Sequence, residues 1–418
     1  MRFEDKTILI TGISGFVGSR MARLLIDGGA EVCGLVRHRA EGGVPGSIRS
    51  QGLEGKVRLL EGDLEDISSV KEALLSSGAD TVFHLGAQSF VPRSFSNPIE
   101  TMSSNCVGTA NLLEAVRASN LDPVVVFAGS SDEYGLVISS QEQYKMAEEK
   151  YGSVFPEPLK IPELPVCESN PLRPMSPYAV SKVYGDFLMR NYFHSYGIKT
   201  VVARAFNHEG AGRGMMFVTS VAAGQAISLR LGLAGRITIG NVNAFRDWSH
   251  VDDVISGYLL LSQKGRHGEV YNLGSMRTCS VMSYLLMCLD QAGYPIGRIE
   301  TFQGGKCVDD PLDPERSSFF GMDLDMSRVD GMMLRGDLEF SLQDRGVAVQ
   351  SGEDEIKIEF DPERFRPAEV PIMLSDARKA AGIGFRPEHC LSDIVRDQLE
   401  YFASESLASE GTRARGSI

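Results

Sequence analysis

Residues 8–18 read ILITGISGFVG, an apolar run that leads into three glycines, Gly12, Gly15 and Gly18. The apolar run is typical of a buried β-strand, and the glycines come where such a strand would turn into a helix. Glycine lets the chain turn tightly, lets backbone N–H groups approach a pyrophosphate, and lets a helix pack closely on a strand. An ordinary glycine-rich turn is the alternative, but three glycines directly after a first buried strand favour a dinucleotide-binding turn.

The chain around this turn alternates apolar, β-branched runs with segments of helical pattern as far as about residue 206. Such alternation is typical of a parallel sheet wrapped by helices, and near-continuous apolar runs indicate strands buried on both faces. We predict strands at Thr7–Thr11, Glu31–Val36, Val57–Glu61, Thr81–Leu85, Val124–Ala128 and Thr200–Ala205. We predict helices at Gly18–Gly28, Asn105–Ser119 and Ser176–Tyr196. The predicted fold class is α/β, with a Rossmann doubly wound parallel sheet in residues 1–206.

The rest of the chain is less regular and predicts a smaller C-terminal α/β substrate-binding domain over residues 207–402, some segments of which could return to the first domain. Val270–Leu273 is a candidate strand of this second domain. Residues 136–172, which are proline-rich with a short charged helix, and residues 331–360 look like insertions. Residues 403–418 are small and polar and predict a flexible tail. Period-two alternation in the second insertion predicts a β meander with apolar positions at Leu338, Phe340, Leu342, Val347, Val349, Ile356, Ile358 and Phe360.

Composition narrows the classes of partner. The 418 residues carry a formal net charge of −13 and no Lys/Arg-rich tract, so we expect no nucleic-acid partner. The longest apolar stretches, such as Val254–Leu261, are too short to cross a bilayer, and the first residues contain no apolar signal region. We therefore expect a cytoplasmic protein with no membrane partner. The seven cysteines lack CxxC spacing, which favours reduced thiols over disulfides or a metal site.

The end of the second predicted strand indicates which dinucleotide binds. Arg37, His38 and Arg39 follow that strand directly. An acidic residue there would bind the ribose 2′-hydroxyl of NAD, whereas arginine suits the 2′-phosphate of NADP. We favour NADP over NAD, with Arg37 as the contact, although solvated surface arginines would look the same. Asp63, after the third strand, is a candidate adenine contact or, equally, the N-cap of the next helix.

A tyrosine and a lysine four residues apart indicate proton-transfer chemistry. Tyr178 and Lys182 would lie on one helix face, where the lysine charge stabilises a phenolate and lowers the tyrosine pKa from about 10. This spacing alone is weak, because tyrosine and lysine share helix faces often. The fifth predicted strand, however, continues as GSSDEYG, which brings Ser130, Asp132 and Glu133 to the carboxyl edge of the sheet, where open α/β folds bind ligands. We predict that these five residues are catalytic.

These motifs together resemble the extended short-chain dehydrogenase/reductase family of nucleotide-sugar enzymes, whose glycine turn has the same TGxxGxxG spacing. Further blocks narrow the resemblance to the GDP-mannose 4,6-dehydratases of that family. The blocks are LGAQS at 85–89, RAFNHE at 204–209, RG at 213–214 with FV at 217–218, FRDW at 245–248 and RFRPAEV at 364–370. The resemblance covers roughly residues 7–265 and 361–395, and the two insertions fall outside it.

By this resemblance, the reaction would run in three steps on one tightly held cofactor. Tyr178 would remove the O4 proton of GDP-mannose as hydride leaves C4, with Ser130 bonded to O4 and Lys182 holding Tyr178. A carboxylate would then remove the C5 proton as the 6-hydroxyl leaves, and hydride would return to C6. The product would be GDP-4-keto-6-deoxymannose, and the NADP cofactor would be regenerated.

The chain departs from the family pattern at the carboxylate. The dehydratases carry a glutamate two residues before the Tyr-Gly pair, whereas Asp132 stands in that register here and Glu133 follows it. We predict that one of the two is the base. If neither reaches C5, Ser130, Tyr178 and Lys182 would still suffice for an NADP-dependent 4-ketoreductase or 4-epimerase of a nucleotide sugar. A non-catalytic NADP-binding scaffold is the third hypothesis, although a scaffold has no need of this arrangement.

The resemblance also implies the remaining contacts. Besides the three glycines, Arg37, Asp63, Tyr178 and Lys182, the implied cofactor contacts are Ser14, Phe16, Val17, Leu64, Leu85 and Ala87. The implied substrate contacts are Ser89, Asn207, His208, Glu209, Arg213, Val218, Arg246, Arg366 and Glu369, with Arg93 and Asn105 as further candidates. Loop closure would equally explain His208, and a salt bridge would equally explain Glu369. Family members associate through helices of the Rossmann domain, so we expect a homodimer or homotetramer.

Overall fold

The computed structural model describes residues 3–38, 43–365 and 370–415, with side chains as far as residue 406. In chain order, the strands of this part of the chain are β1 Thr7–Thr11, β2 Glu31–Val36, β3 Arg58–Glu61, β4 Thr81–His84, β5 Val124–Ala128, β6 Thr200–Ala205, β7 Asn207–Glu209, β8 Ile237–Ile239, β9 Phe245–Arg246, β10 Trp248–His250, β11 Val270–Leu273, β12 Cys279–Ser280, β13 Arg298–Thr301, β14 Cys307–Asp309, β15 Pro314–Phe319, β16 Met322–Ser327, β17 Gly346–Ser351 and β18 Asp354–Phe360.

The α-helices of the same ranges are α1 Phe16–Asp27, α2 Gly46–Ser50, α3 Ile67–Ser77, α4 Val91–Ser96, α5 Pro98–Met102, α6 Gly108–Arg117, α7 Gln141–Tyr151, α8 Pro177–Tyr196, α9 Val218–Arg230, α10 Val251–Lys264, α11 Val281–Gln291, α12 Arg328–Arg335, α13 Arg378–Gly382 and α14 Leu391–Arg415. A π-helical turn, Ser103–Val107, precedes α6, and 3₁₀ turns lie at Ser131–Glu133, Leu342–Asp344 and Pro362–Arg364.

The chain divides into two compact units. The first comprises residues 1–206, 251–274 and 375–387, and the second comprises residues 207–250, 275–374 and 388–418. Two segments that the sequence analysis placed in its second domain, α10 with β11 and the segment around α13, therefore lie in the first unit. Burial explains their return, because β11 and α10 contribute almost wholly buried apolar residues to that unit.

The first unit is built on a seven-stranded sheet in the order β11-β6-β5-β4-β1-β2-β3. Every pairing in this sheet is parallel. The predicted α/β fold class is therefore confirmed, and the six predicted strands match the observed ones to within one residue at either end. The assignment of Val270–Leu273 to the second domain was wrong, because this strand pairs with β6 and forms the edge of the first sheet.

The apolar core of the first unit lies against the strands and the helices that cross over them. Leu9, Val82, Val125 and Val202 are all buried there, since strands covered on both faces have no polar side. The 136–172 segment contains the predicted charged helix, α7, and a small core of its own around Ile138. Its Glu163 forms a buried ion pair with Arg173.

The second unit contains a five-stranded sheet in the order β14-β13-β17-β18-β8 and three two-stranded sheets. The predicted meander at 331–360 was partly wrong: β17 and β18 form an antiparallel hairpin, but no strand covers Leu338 or Phe340. Both side chains are buried, so the apolar alternation there reflects burial in irregular backbone. The Asn243 side chain bonds both the N–H and the C=O of Phe340, which replaces strand pairing.

The C-terminal helix corrects the prediction of a flexible tail from residue 403, because α14 continues to Arg415. Ile394, Val395 and Leu399 anchor its first turns in the core of the second unit, where α14 packs on α9 and α11. The polar residues that follow are mostly compatible with a helix that is already nucleated. Within the described ranges, no helix combines the length and apolar character needed to cross a membrane.

Candidate active site

The glycine turn after β1 leaves no room for side chains. Gly12 has a φ of +74°, and a Cβ there would lie 2.8 Å from the backbone of Gly86. A Cβ on Gly18 would collide with the carbonyl oxygen of Gly12. Helix α1 begins at Phe16, and its first turn has neither a side-chain cap nor an acidic residue. The turn therefore offers backbone N–H groups and the positive end of a helix dipole to an anion.

A cleft beside this turn is lined by Ser14, Val36, Arg37, His38 and Pro45. Arg37 is exposed, and it makes no hydrogen bond or ion pair with any described residue. His38 instead pairs with Glu61 at 2.9 Å. The guanidinium of Arg37 at the strand tip is thus available to donate hydrogen bonds, as binding of a ribose 2′-phosphate requires. Arg39 lies outside the described residues.

Asp63 does not cap the next helix, so the N-cap alternative was wrong. Asp66 is the N-cap of α3, and its side chain accepts from the N–H groups of Ser68 and Ser69. Asp63 is exposed just after β3, where its side chain accepts the N–H of Glu65. It therefore stays available at the strand tip as a candidate adenine contact.

The other candidate cofactor residues lie around the same turn. Leu85 donates its N–H to the carbonyl oxygen of Thr11, and a Cβ on Gly86 would lie 2.8 Å from the Leu64 side chain. These contacts bring the ends of β1 and β4 and the loop after β3 together at one edge of the sheet. Phe16, Val17 and Ala87 are partly buried there, whereas Ser14 and Ser89 are exposed.

Tyr178 and Lys182 lie in the first two turns of α8, which Ser176 caps through the N–H of Ala179. Both side chains are buried. Lys182 Nζ donates to the carbonyl oxygen of Ala128 at 2.7 Å and lies 5.8 Å from the centre of the Tyr178 ring. Burial lowers the pKa of Lys182 to about 8. The lysine is thus oriented by the end of β5 and remains cationic near neutral pH, as phenolate stabilisation requires.

The turn after β5 separates the two candidate carboxylates. Ser130 caps the 3₁₀ turn, and its Oγ accepts the N–H of Asp132 at 3.1 Å. Glu133 is completely buried, with Oε1 accepting the Ser130 N–H at 2.8 Å and Oε2 accepting Arg204 Nε at 3.1 Å. Burial, assisted by the Asp186 carboxylate, raises the pKa of Glu133, and the Arg204 cation opposes that rise. Asp132 is partly exposed, so it is the carboxylate of this pair that solvent and ligands can reach.

Asn105 connects the Tyr178 helix to the loop after β4. Its Nδ2 donates to Ser181 Oγ at 2.8 Å and to the carbonyl oxygen of Gln88, while its Oδ1 accepts the Gln88 N–H. The residue lies in the π-helical turn before α6, a feature frequent at functional sites. Asn105 is the buried residue of that turn, and its neighbours in the turn are partly or fully exposed. Arg93, by contrast, forms an exposed ion pair with Glu100.

The candidate substrate residues of the second unit begin on β7. Asn207, His208 and Glu209 pair there with β10 in parallel register. Glu209 is buried, accepts Thr219 Oγ1 at 2.7 Å and pairs with Arg213 at 3.5 Å, and burial raises its pKa. The guanidinium of Arg213 stacks 3.5 Å from the centre of the Phe217 ring. Glu209 is thus engaged inside the unit, where it orients Arg213.

The structure describes only some of the remaining candidate substrate contacts. Arg246 donates to the carbonyl oxygens of Phe245 and Val370. Val218 is the first residue of α9. Arg366 and Glu369 lie outside the described residues, so their assignment stays a prediction.

Comparison with known proteins assigns the chain to a family. The family model described as GDP-mannose 4,6 dehydratase matches residues 9–301, which include the glycine turn, Ser130, Tyr178 and Lys182. The chain belongs to this family. The resemblance seen in the sequence is therefore confirmed, and so is the extended short-chain dehydrogenase/reductase class.

Individual relatives agree with the family model. The chain is 31% identical to the GDP-mannose 4,6-dehydratase of Vibrio cholerae strain El Tor Inaba N16961, covering 97% of this chain and 96% of that protein. It is 30% identical to the GDP-mannose 4,6-dehydratase sdnI of Sordaria araneosa over 95% of this chain but spans only 61% of that longer protein. A structure of RMD from Pseudomonas aeruginosa complexed with NADPH superposes with a TM-score of 0.65 at 24% identity, covering 96% of this chain and 99% of that one, which shows the shared fold.

Proposed function

We propose that this member of the GDP-mannose 4,6-dehydratase family is an NADP-dependent lyase that converts GDP-mannose to GDP-4-keto-6-deoxymannose. The relatives that carry this name match it over nearly their whole length in Vibrio cholerae and in Sinorhizobium fredii. The observation that carries the proposal is the accessible Asp132 beside Ser130, in the register where the family has its active-site carboxylate.

NADP fits the first unit. The glycine turn would hold the pyrophosphate, because a Cβ at Gly12 or Gly18 would fill that space. Arg37 would pair with the 2′-phosphate, and Asp63 would contact the adenine. Bound NADP would supply the hydride acceptor for oxidation at C4 and the hydride for reduction at C6, so the reaction would involve no net reduction of the cofactor.

Oxidation at C4 requires removal of the O4 proton. Tyr178, as phenolate, would accept that proton, and the Ser130 hydroxyl would donate a hydrogen bond to O4. Lys182 would hold its charge near the Tyr178 ring, since Ala128 fixes its ammonium group. The buried setting strengthens this electrostatic effect because water screens it little.

Elimination of water across C5 and C6 requires a second base. The C4 ketone acidifies the C5 proton, and Asp132 would remove that proton and pass it to the departing 6-hydroxyl, which leaves as water. A proton equivalent to the one taken from O4 is added at C5 as hydride reaches C6. The sum is loss of one water. Glu133 would not serve as this base, because the Ser130 N–H and Arg204 occupy both of its oxygens.

An NADP-dependent 4-ketoreductase or 4-epimerase is the second candidate function. The observation that favours it is the inward-facing Glu133, which leaves a single, shorter carboxylate next to Ser130. Both reactions need Ser130, Tyr178 and Lys182 and no base at C5. The two candidates therefore differ in the role of Asp132.

The nucleotide end of the substrate would be bound by the second unit. Arg213 and Arg246 would neutralise the diphosphate, because each guanidinium is already oriented, by Glu209 and by two backbone carbonyls. Arg366 and Glu369 would complete the set by resemblance to the family.

With no basic tract and an apolar core of ordinary size, the enzyme would act in the cytoplasm without nucleic acid or membrane.

Self-association would use an apolar strip on the first unit. Ile99 on α5, Val107 on the π-helical turn and Val180, Tyr184 and Phe187 on α8 are all exposed. The three elements pack against one another, and we propose that these exposed residues form one apolar strip. A second copy of the chain is the proposed occupant, which gives a homodimer, and a homotetramer would need a further surface.

Product analysis tests the proposed function. We would incubate the purified chain with NADP and a panel of GDP-, UDP-, CDP- and dTDP-hexoses and follow product mass. Loss of one water from GDP-mannose alone, without net cofactor reduction, is the expected result. No change on any hexose, but turnover of a 4-keto sugar with NADPH, would replace the dehydratase with the reductase.

A further inference from the structure

A buried arginine lies behind the catalytic residues. Arg204, on β6, is 2% exposed. Its Nε donates to Glu133 Oε2 at 3.1 Å and to Asp186 Oδ2 at 2.9 Å, and its Nη2 pairs with Asp186 at 2.7 Å. Its Nη1 donates to the Tyr134 hydroxyl at 3.1 Å. One guanidinium thus joins two buried carboxylates that come from different parts of the fold.

The Asp186 and Glu133 carboxylates connect Arg204 to two different groups of catalytic residues. Asp186 lies on α8, four residues after Lys182 and eight after Tyr178, so the three side chains share one helix face. Glu133 accepts the N–H of Ser130 at 2.8 Å. A continuous chain of hydrogen bonds therefore runs from Ser130 through Glu133, Arg204 and Asp186 to the helix of Tyr178.

We infer that Glu133, Arg204 and Asp186 form a positioning circuit, which sets Ser130 against Tyr178 and Lys182 without touching substrate or cofactor. The inference deepens the proposed function and rests on it for the choice of substrate. Ser130 follows a strand and Tyr178 stands on a helix, so contacts between distant parts of the chain set one relative to the other. The circuit adds to the bond from Lys182 to the Ala128 carbonyl oxygen. A shift of about 1 Å between such groups can cost about 100-fold in rate, which gives the circuit its effect.

Charge and burial explain why these residues act as one unit. Glu133 and Asp186 are completely buried, and Arg190 provides a second, partly exposed cation that pairs with Asp186 at 2.7 Å. Burial raises the pKa of Glu133, so its carboxylate depends on the Arg204 cation for its charge. A buried ion pair contributes little net stability but fixes geometry when every oxygen is bonded. Loss of any member should therefore disturb the others.

Four variants test the circuit by kinetics on the NADP-loaded enzyme. Glu133→Leu and Arg204→Leu should each lower kcat by about 10- to 100-fold, while KM for the nucleotide sugar and the affinity for NADP stay within about threefold. The double variant should be scarcely slower than either single one, because both break the same circuit. Glu133→Gln keeps an acceptor for the Ser130 N–H and should restore most of the lost kcat. Additive losses, or a change in KM alone, would overturn the inference.

Glu163→Leu is the matched control for Glu133→Leu. Glu163 is buried and, like Glu133, accepts a backbone N–H and an arginine, here from Ile138 and Arg173. The control should lower the melting temperature and leave kcat per folded enzyme unchanged. If Glu133→Leu and Glu163→Leu behave alike in both respects, the circuit is structural only.

Hydrogen exchange separates failure of the circuit from failure of the proposed function. It needs no substrate, so it applies even if the wild-type chain does not convert GDP-mannose, a result that would remove only the dehydratase proposal. In the NADP-loaded protein, Arg204→Lys should accelerate exchange in both the 129–134 turn and α8, although Arg204 bonds no backbone N–H in either. Acceleration confined to β6, or no change in the 129–134 turn, would overturn the circuit.

Discussion

Asp132 and Glu133 are neighbours in the 3₁₀ turn after β5, yet their carboxylates have opposite environments. Glu133 is completely buried and bonded to Ser130 and Arg204, whereas Asp132 is partly exposed. The turn itself produces this difference, because Ser130 and Glu133 close a reciprocal capping box that directs Glu133 inwards. The two acidic residues therefore have different roles, one in chemistry and one in positioning.

Replacement of Asp132 should separate oxidation from elimination. In Asp132→Asn, the base at C5 is lost, so we expect water loss from GDP-mannose to fall by about 100- to 10,000-fold. Oxidation at C4 should persist, and reduced cofactor should accumulate on the enzyme, which its near-ultraviolet absorbance would report. Asp132→Glu, which keeps the carboxylate, is the control and should retain dehydration. Unimpaired dehydration by Asp132→Asn would show that the base is another residue.

The parts of the fold that follow local rules could be predicted from the sequence. The glycine turn, the six strands before residue 206 and the Tyr178 helix are each determined by residues near in sequence, such as Gly12 with its positive φ or Ser176 at the helix cap. β11 could not be assigned, because its membership of the first sheet depends on pairing with β6 across about 70 residues. The 314–327 hairpin likewise carries little apolar signal, since Leu324 and Met326 are its only buried side chains.

The candidate site shows the same division. The YxxxK spacing and the strand-end serine predict where Tyr178, Lys182 and Ser130 lie, because helix periodicity and parallel strands fix those places. The choice between Asp132 and Glu133 could not be made, because it depends on the partner Arg204, which is 71 residues away in the chain. A buried ion pair leaves no local pattern in a single sequence.

Activity should fall as pH rises through about 8. Burial lowers the pKa of Lys182 to about 8, so the ammonium group that stabilises the Tyr178 phenolate is charged below that pH and neutral above it. A fall of kcat with a midpoint near pH 8 on the NADP-loaded enzyme is the expected result, and constant kcat up to pH 10 would contradict it. Unfolding is not the cause, because over this range the unfolded chain binds more protons at this lysine, and its contribution to stability rises with pH.

Arg37 should determine the preference for NADP. Arg37→Asp removes the cation that pairs with the 2′-phosphate and adds an acceptor for a ribose hydroxyl, so we expect NADP affinity to fall by about 10- to 100-fold while NAD affinity holds or rises. Titration of both dinucleotides measures the ratio. Arg58→Asp, on the neighbouring strand β3, removes an exposed arginine that bonds the Ser76 carbonyl oxygen and should leave the ratio unchanged. An unchanged ratio in Arg37→Asp would remove Arg37 from the cofactor site.

The apolar strip formed by α5, the π-helical turn and α8 should be required for self-association. Phe187→Asp places a charge on a side chain that is 54% exposed, which a dimer would have to desolvate. We expect light scattering after gel filtration to report the monomer mass for this variant and twice that mass, or a higher multiple, for the wild type. Phe155→Asp, at an even more exposed phenylalanine outside the strip, is the control and should stay associated. A monomeric wild type would exclude this interface.

GDP-mannose that carries deuterium at C4 provides the most direct test of the proposed reaction. With NADP and the wild-type chain, we predict a product that has lost one water and retains the deuterium at C6, with no net change in cofactor. That result requires oxidation, elimination and hydride return within one active site. Recovery of the hexose with its 6-hydroxyl intact would contradict the dehydratase and leave Ser130, Tyr178 and Lys182 to a reductase or an epimerase.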